Sequence, residues 1–236
     1  MVTSFAGKVM AARGEKILSA DVGGSSWTER DNGRSNAKRY TFEKFNFDGN
    51  DKIIVADQAN APTVFNTSFA ATDVTSAGTG EVSTAVTGAK FVVAFKDHMF
   101  YAGMASTPQE IVFSEPFDED DFDTSDGAGS IKVDDDITGL KVFRDALFIF
   151  CESRIFQLTG TSSSNFAITP ITRNIGCVNG FTIQEFAGDL IFLSKDGLRT
   201  VAATARIGDV ELGTISRPVQ SLFSGETDVD EFVSLV

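Results

Sequence analysis

The sequence is short of nearly every side chain that usually carries chemistry. Its 236 residues include one histidine, one tryptophan, two tyrosines, two cysteines and five prolines. A metal site of nitrogen and sulfur ligands would have only His98, Cys151 and Cys177 to draw on, too few for a four-ligand protein site. A Ser-His-Asp or Cys-His arrangement would have to be built around His98, which sits inside an apolar segment where a structural role is the plainer reading. CxxC, HExxH, P-loop and GxGxxG patterns are absent. Two cysteines make no disulfide framework for a chain of this size. Cys151 follows apolar residues and reads as a buried thiol, Cys177 sits at a turn beside Gly176, and such usage fits a reducing compartment. No apolar run approaches the ~18 residues of a membrane span, and the start lacks the charged-then-apolar pattern of a secretory signal. Positive charge is also scarce: 20 Lys and Arg face 33 Asp and Glu, for a net charge of −13. Tight binding to a phosphate backbone is therefore disfavoured. Solubility is the simplest use of such a surface, and it is also compatible with lining a passage that nucleic acid traverses without sticking.

What the chain has in quantity is phenylalanine, 22 residues of it, and a repeated phrase. The phrase is an acid, one variable residue, then an apolar run, as in Asp145-Ala146-Leu147-Phe148-Ile149-Phe150. Further copies begin at Glu15, Asp51, Asp97 and Asp189, so the acids lie 36, 46, 48 and 44 residues apart, and a sixth copy begins at Asp230, 41 residues on. Each is preceded by a short apolar segment and, except for the last, followed by a turn and a third one. Runs of this length, β-branched or aromatic and bounded by turn residues, are strands. A period in the forties with three or four strands per unit predicts an all-β chain, a β-propeller of five to six blades forming a single domain over 1–236. The recurrent acids are turn-formers, since an Asp carboxylate accepts hydrogen bonds from nearby backbone. Phenylalanine, large and without a polar atom, suits the space between packed sheets.

Four stretches interrupt the repeat. Residues 31–39 are a polar connector holding the main local excess of positive charge, read as a solvated loop, or more sharply as a contact for an acidic partner. Residues 67–89, rich in Ser, Thr, Ala and Gly, read as a loop excursion from the second blade. Residues 114–136 form an acidic loop in which Asp121, Asp123, Asp126 and Gly127 superficially resemble a calcium loop. Ser125 occupies an acid position there, Gly127 comes one residue late and no glutamate follows at the right distance, so a solvated acidic turn is preferred. Ser216-Arg217-Pro218-Val219-Gln220-Ser221-Leu222-Phe223 has the cap, early proline and apolar spacing of one short helix, near 217–223. The turn from Asp21 to Trp27 resembles the Asp box of sialidase-type propellers with one residue too many. A sialidase-like site would also need clustered arginines, whereas Arg144, Arg154, Arg173, Arg199, Arg206 and Arg217 fall at differing points of the repeats.

One ordered series of motifs carries a family resemblance. It runs Ile111-Val112-Phe113-Ser114-Glu115-Pro116, an acidic stretch ending Asp121-Phe122-Asp123, Asp136-Ile137-Thr138-Gly139-Leu140, and Leu147-Phe148-Ile149-Phe150 with Arg154-Ile155-Phe156-Gln157-Leu158-Thr159-Gly160. It continues through Gly176-Cys177-Val178, Asp189 to Gly197, and Ile215-Ser216-Arg217-Pro218-Val219. The series resembles the β-propeller part of bacteriophage tail nozzle and hub proteins of the podovirus type, most clearly over residues 90–223. The resemblance implies a non-enzymatic virion protein in a homo-oligomeric ring around the tail channel, with other tail and head–tail connector proteins as partners, and no catalytic, cofactor or metal residues. The platform domain usual in nozzle proteins has no counterpart here, which leaves a propeller-only relative or a piece of a longer polypeptide. A glycan-binding or glycan-degrading tail propeller is the alternative.

Overall fold

A computed structural model of the chain describes residues 1–75, 82 and 85–201. Its strands are consecutive antiparallel meanders, each sheet made from one continuous stretch of chain. The first sheet comprises β1 (Val2–Phe5), β2 (Lys8–Arg13), β3 (Lys16–Asp21) and β4 (Thr28–Asp31). The second comprises β5 (Thr41–Phe45), β6 (Lys52–Ala56), β7 (Thr63–Asn66) and β8 (Ala71–Asp73). The third comprises β9 (Phe91–Phe95), β10 (His98–Ala102), β11 (Glu110–Phe113) and β12 (Gly129–Lys132). The fourth comprises β13 (Ile137–Phe143), β14 (Ala146–Cys151), β15 (Ile155–Thr159) and β16 (Ala167–Thr172). The fifth, among the described residues, comprises β17 (Gln184–Phe186), β18 (Asp189–Ser194) and β19 (Gly197–Thr200). The described helical structure is nearly confined to a single 3-10 turn, Gly180–Thr182, capped by the Asn179 side chain, which accepts from Phe181 N. The expected helix near 217–223 and the sixth copy of the phrase lie outside the described residues.

The hairpin turns explain the repeat and correct its first copy. Turns with positive φ at both central residues match the twist of the strands they join. Lys96–Asp97 (φ 49° and 63°) joins β9 to β10, and Ala187–Gly188 (51° and 76°) joins β17 to β18. Arg144–Asp145 joins β13 to β14 with Arg144 alone at positive φ, 54°. The counterpart in the first sheet is Ala6–Gly7 (46° and 74°), between β1 and β2. The Glu15 phrase is thus β3, one strand later than its counterparts β6, β10, β14 and β18, and at the first hairpin Gly7 takes the positive φ that Asp97 takes between β9 and β10.

The chain divides into two compact units. One holds Met1–Lys132 with Ser162–Ser164; the other holds Val133–Thr161 and the residues from Asn165 onward. In the first unit β6 is buried on both faces. Ile53 and Val55 join Phe5, Met10, Ile17, Phe65 and Phe69 in one core, while Ile54 and Ala56 join Val92, Met99, Tyr101 and Phe122 in another. Successive side chains of a strand point to opposite faces, so one strand feeds both cores and the sequence shows an unbroken apolar run. In the second unit Phe150 of β14 meets Phe192 of β18 with ring centroids 5.4 Å apart, within a core that includes Phe148, Ile155 and Leu190. Such ring pairs add about 0.5–1.5 kcal/mol beyond the area they bury.

Parts of the two expected loops are strands. Within 67–89, Ala71–Asp73 forms β8, and Val74, Val82, Val86 and Ala89 are buried in the core. Within 114–136, Gly129–Lys132 forms β12 against β11. Both are last strands of their sheets, exposed along much of their length, so neither carries the apolar run that marked the others.

Candidate functional site

His98, Cys151 and Cys177, the side chains singled out from the sequence, are all buried. His98 is 1% exposed, edge-on to Phe113 at 5.6 Å, with Nδ1 2.6 Å from the Ser114 carbonyl oxygen. Burial lowers its pKa against that hydrogen bond, which favours the neutral ring of a core histidine. Cys151 and Cys177 are both free and fully buried. Burial, then the carboxylates of Asp135, Asp134 and Asp136, push the Cys151 thiol far above its ordinary range, so it does not form a thiolate near neutrality. The Cys177 thiol donates to the Asn179 carbonyl oxygen at 3.2 Å. These three side chains contribute packing.

The connector at 31–39 does hold a cation that meets acids, but within the chain. Arg34 is 4% exposed. Its Nε donates to Asp57 at 2.7 Å, Nη1 to Asp31 at 2.9 Å and to Thr63 Oγ1 at 2.5 Å, and Nη2 to the Ala61 carbonyl at 2.9 Å. Thr63 passes the chain on, donating to Asp73 of β8 at 2.7 Å. Asp57, fully buried, also accepts from Ala59 N, Asn60 N and Asn60 Nδ2. Burial works to raise its pKa, yet the hydrogen bonds from Asn60 and Ala59 and the Arg34 charge outweigh it and hold the carboxyl below its usual range. A buried charge held this way joins the first two sheets.

The acidic loop is ordered by its own carboxylates. Asp121 accepts from Asp123 N at 3.0 Å, and Asp123 accepts from Ser125 N and Oγ at 2.8 Å each. These acids cap backbone amides, and among the described residues no group of three His, Cys, Asp or Glu side chains is placed to hold a metal. Phe122 is fully buried against Tyr101 at 5.7 Å, and Tyr101 Oη donates to the Glu119 carbonyl at 2.5 Å. Glu119, 5% exposed, takes Lys52 Nζ on both oxygens at 2.7 and 3.0 Å, tying the loop to β6.

Beside that pair, Asp120 is an exposed residue, yet partial desolvation of its carboxyl and then the hydrogen bond and charge of Asp118 raise it to about 6. An acid raised in the folded state stabilises fully below its unfolded pKa, and that contribution is lost as pH rises through the folded value. Asp120→Asn is expected to remove this loss and leave the protein more stable than the parent above pH 6, where the parent carries the charge. The gain should stay under about 1 kcal/mol because the side chain is solvent-screened. Denaturant unfolding of both proteins on either side of pH 6 checks it; equal slopes with pH would contradict it.

The Asp-box-like turn is held differently from its name. Asp21 pairs with Lys8, the Gly24 amide donates to the Asp21 carbonyl at 2.8 Å, and Trp27 is 48% exposed. Sequence reading missed the Arg34–Asp57 and Lys52–Glu119 pairs. The one signal available was an acid, Asp57, directly after the apolar run of β6.

No protein-family model matches the chain, and no curated protein matches it. Solved structures do. The extracellular domain of BT4673 from B. thetaiotaomicron matches with a TM-score of 0.59 at 13% identity, over 84% of this chain and 25% of that one. The AfRom2 CNH domain matches with a TM-score of 0.50 at 10% identity, over 82% of this chain and 64% of that one. The fold is that of a β-propeller. At these identities the likeness is one of fold alone, and the chain spans less than two thirds of the length of either structure. The phrase strands β6, β10, β14 and β18 are the second strands of their meanders.

Proposed function

We propose that this chain is a non-enzymatic structural component of a phage tail, a nozzle- or hub-like subunit of a ring around the DNA exit channel. The observation that carries the reading is the ordered motif series along residues 90–223. Where that series falls on described residues, its side chains hold sheets together. Ser114 Oγ accepts from Met99 N at 3.0 Å, Phe122 fills the core under Tyr101, and Thr138 Oγ1 donates to the Cys177 carbonyl at 2.6 Å. Gly139 lies where an added Cβ would come within 2.8 Å of the Gly180 Cα. Motifs spent on packing suit a subunit whose work is to keep its shape, and the net charge of −13 suits a passage for DNA.

The test is the mass of the purified chain in solution by light scattering, with antibody labelling of native particles. A closed oligomer and labelling at the tail vertex are expected; a monomer absent from particles would overturn the reading. A glycan-binding tail propeller is the second reading, favoured by Trp27 standing 48% exposed on the Asp-box-like turn. A glycan array without binding would remove it.

A further inference from the structure

The first two sheets part at one end into a cleft of about 620 Å³. It is lined by the Ala6–Gly7 turn, Val22 of the β3–β4 loop, and Asn46 and Asp51 of the β5–β6 connection, together with Phe5 and Phe45, each 7% exposed. Three lysines from three strands line it: Lys8 of β2, Lys44 of β5 and Lys52 of β6. The one acid in the lining, Asp51, accepts from Asn46 Nδ2 at 2.9 Å.

The three cations differ in what they have left to offer. Lys52 is committed to the buried Glu119. Lys8 is paired with Asp21, whose side chain is 79% exposed, and such a pair is worth about 0–1 kcal/mol, so an incoming anion can replace it. Lys44 is exposed and, among the described residues, has no carboxylate within 4.0 Å; its Nζ reaches Ser4 Oγ at 3.5 Å. An unneutralised lysine in a concave, aromatic-lined cleft runs against the acidic character of the chain. The volume falls in the range of small-molecule sites, roughly 300–1,000 Å³, and the net charge of −13 disfavours a second copy of the chain as occupant.

We propose that this cleft binds a small organic anion, its carboxylate or phosphate head on Lys44 and Lys8 and its apolar body against Phe5, Phe45 and Val22. The proposal goes beyond the scaffold reading and does not depend on it. Titration of the full chain with octanoate and, separately, phenyl phosphate, followed through amide resonances, is expected to move Gly7, Val22 and Asn46 saturably. Saturation by either probe supports the site and assigns its head group. Lys44→Gln should weaken binding about tenfold with the unfolding midpoint unchanged, Lys8→Gln should weaken it less, and added salt should weaken it further. Absence of saturable shifts with both probes would overturn the proposal. So would undiminished binding to Lys44→Gln, equal binding of neutral benzyl alcohol, or self-association that covers the cleft in the free protein.

Discussion

Gly176→Ala is expected to destabilise the second unit by more than about 4 kcal/mol, beyond the range of ordinary substitutions. A Cβ at residue 176 would stand 2.3 Å from the Cys151 carbonyl oxygen, 2.4 Å from the Glu152 carbonyl carbon and 2.5 Å from the Glu152 oxygen. All three are main-chain atoms, so no side-chain rotation relieves the overlap. Moving them apart would also cost the hydrogen bond from Cys177 N to the Cys151 carbonyl, 2.9 Å long. Gly188→Ala makes the informative comparison. Gly188 has φ +76° with no atom closer than 3.9 Å to an added Cβ, so only backbone strain applies, about 1–2 kcal/mol. Thermal or denaturant unfolding of the two variants separates overlap from strain; equal losses would show that the backbone at Cys151–Glu152 yields easily.

Arg34→Met should cost about 3–5 kcal/mol, the usual penalty for removing one partner of a buried ion pair. The substitution keeps much of the side-chain length but strands the buried Asp57 carboxylate and frees Thr63 Oγ1 and the Ala61 carbonyl of their donor. Adding Asp57→Asn removes the stranded charge, so the double variant should be less than additively destabilised. Denaturant unfolding of the parent, both single variants and the double closes the cycle. Strict additivity would mean that Arg34 and Asp57 act separately, against the 2.7 Å geometry.

The strands most readily seen in the sequence were those buried on both faces, where packing on two sides forces an apolar run. β10 and β14 are buried throughout, and both were read directly from residues. The last strands of the sheets were hidden for the opposite reason: β8 and β12 are polar and largely exposed, and they take their conformation from a neighbouring strand rather than from their own composition. A search keyed on acids also misaligned the first repeat, because Gly7 and Asp97 perform the same backbone task with different chemistry. Charge pairing was less legible still. Arg34 and Asp57 are 23 residues apart and Lys52 and Glu119 are 67 apart, and only the stacking of sheets brings them together. The cleft escaped notice because its lysines come from three strands, each unremarkable alone.

The meander topology described above also bears on how the chain assembles. Each sheet is completed by strands that follow one another, and the longest excursion within the described sheets runs only from Phe113 to Gly129. Loop-closure entropy grows with the logarithm of the span, so among the described strands none waits for a distant segment before its own pairing begins. Folding is therefore expected to proceed sheet by sheet as the chain leaves the ribosome. The first sheet is an exception in timing: Arg34 loses its water only once Asp57 and Thr63 can take its hydrogen bonds, so its docking waits until 29 further residues have appeared.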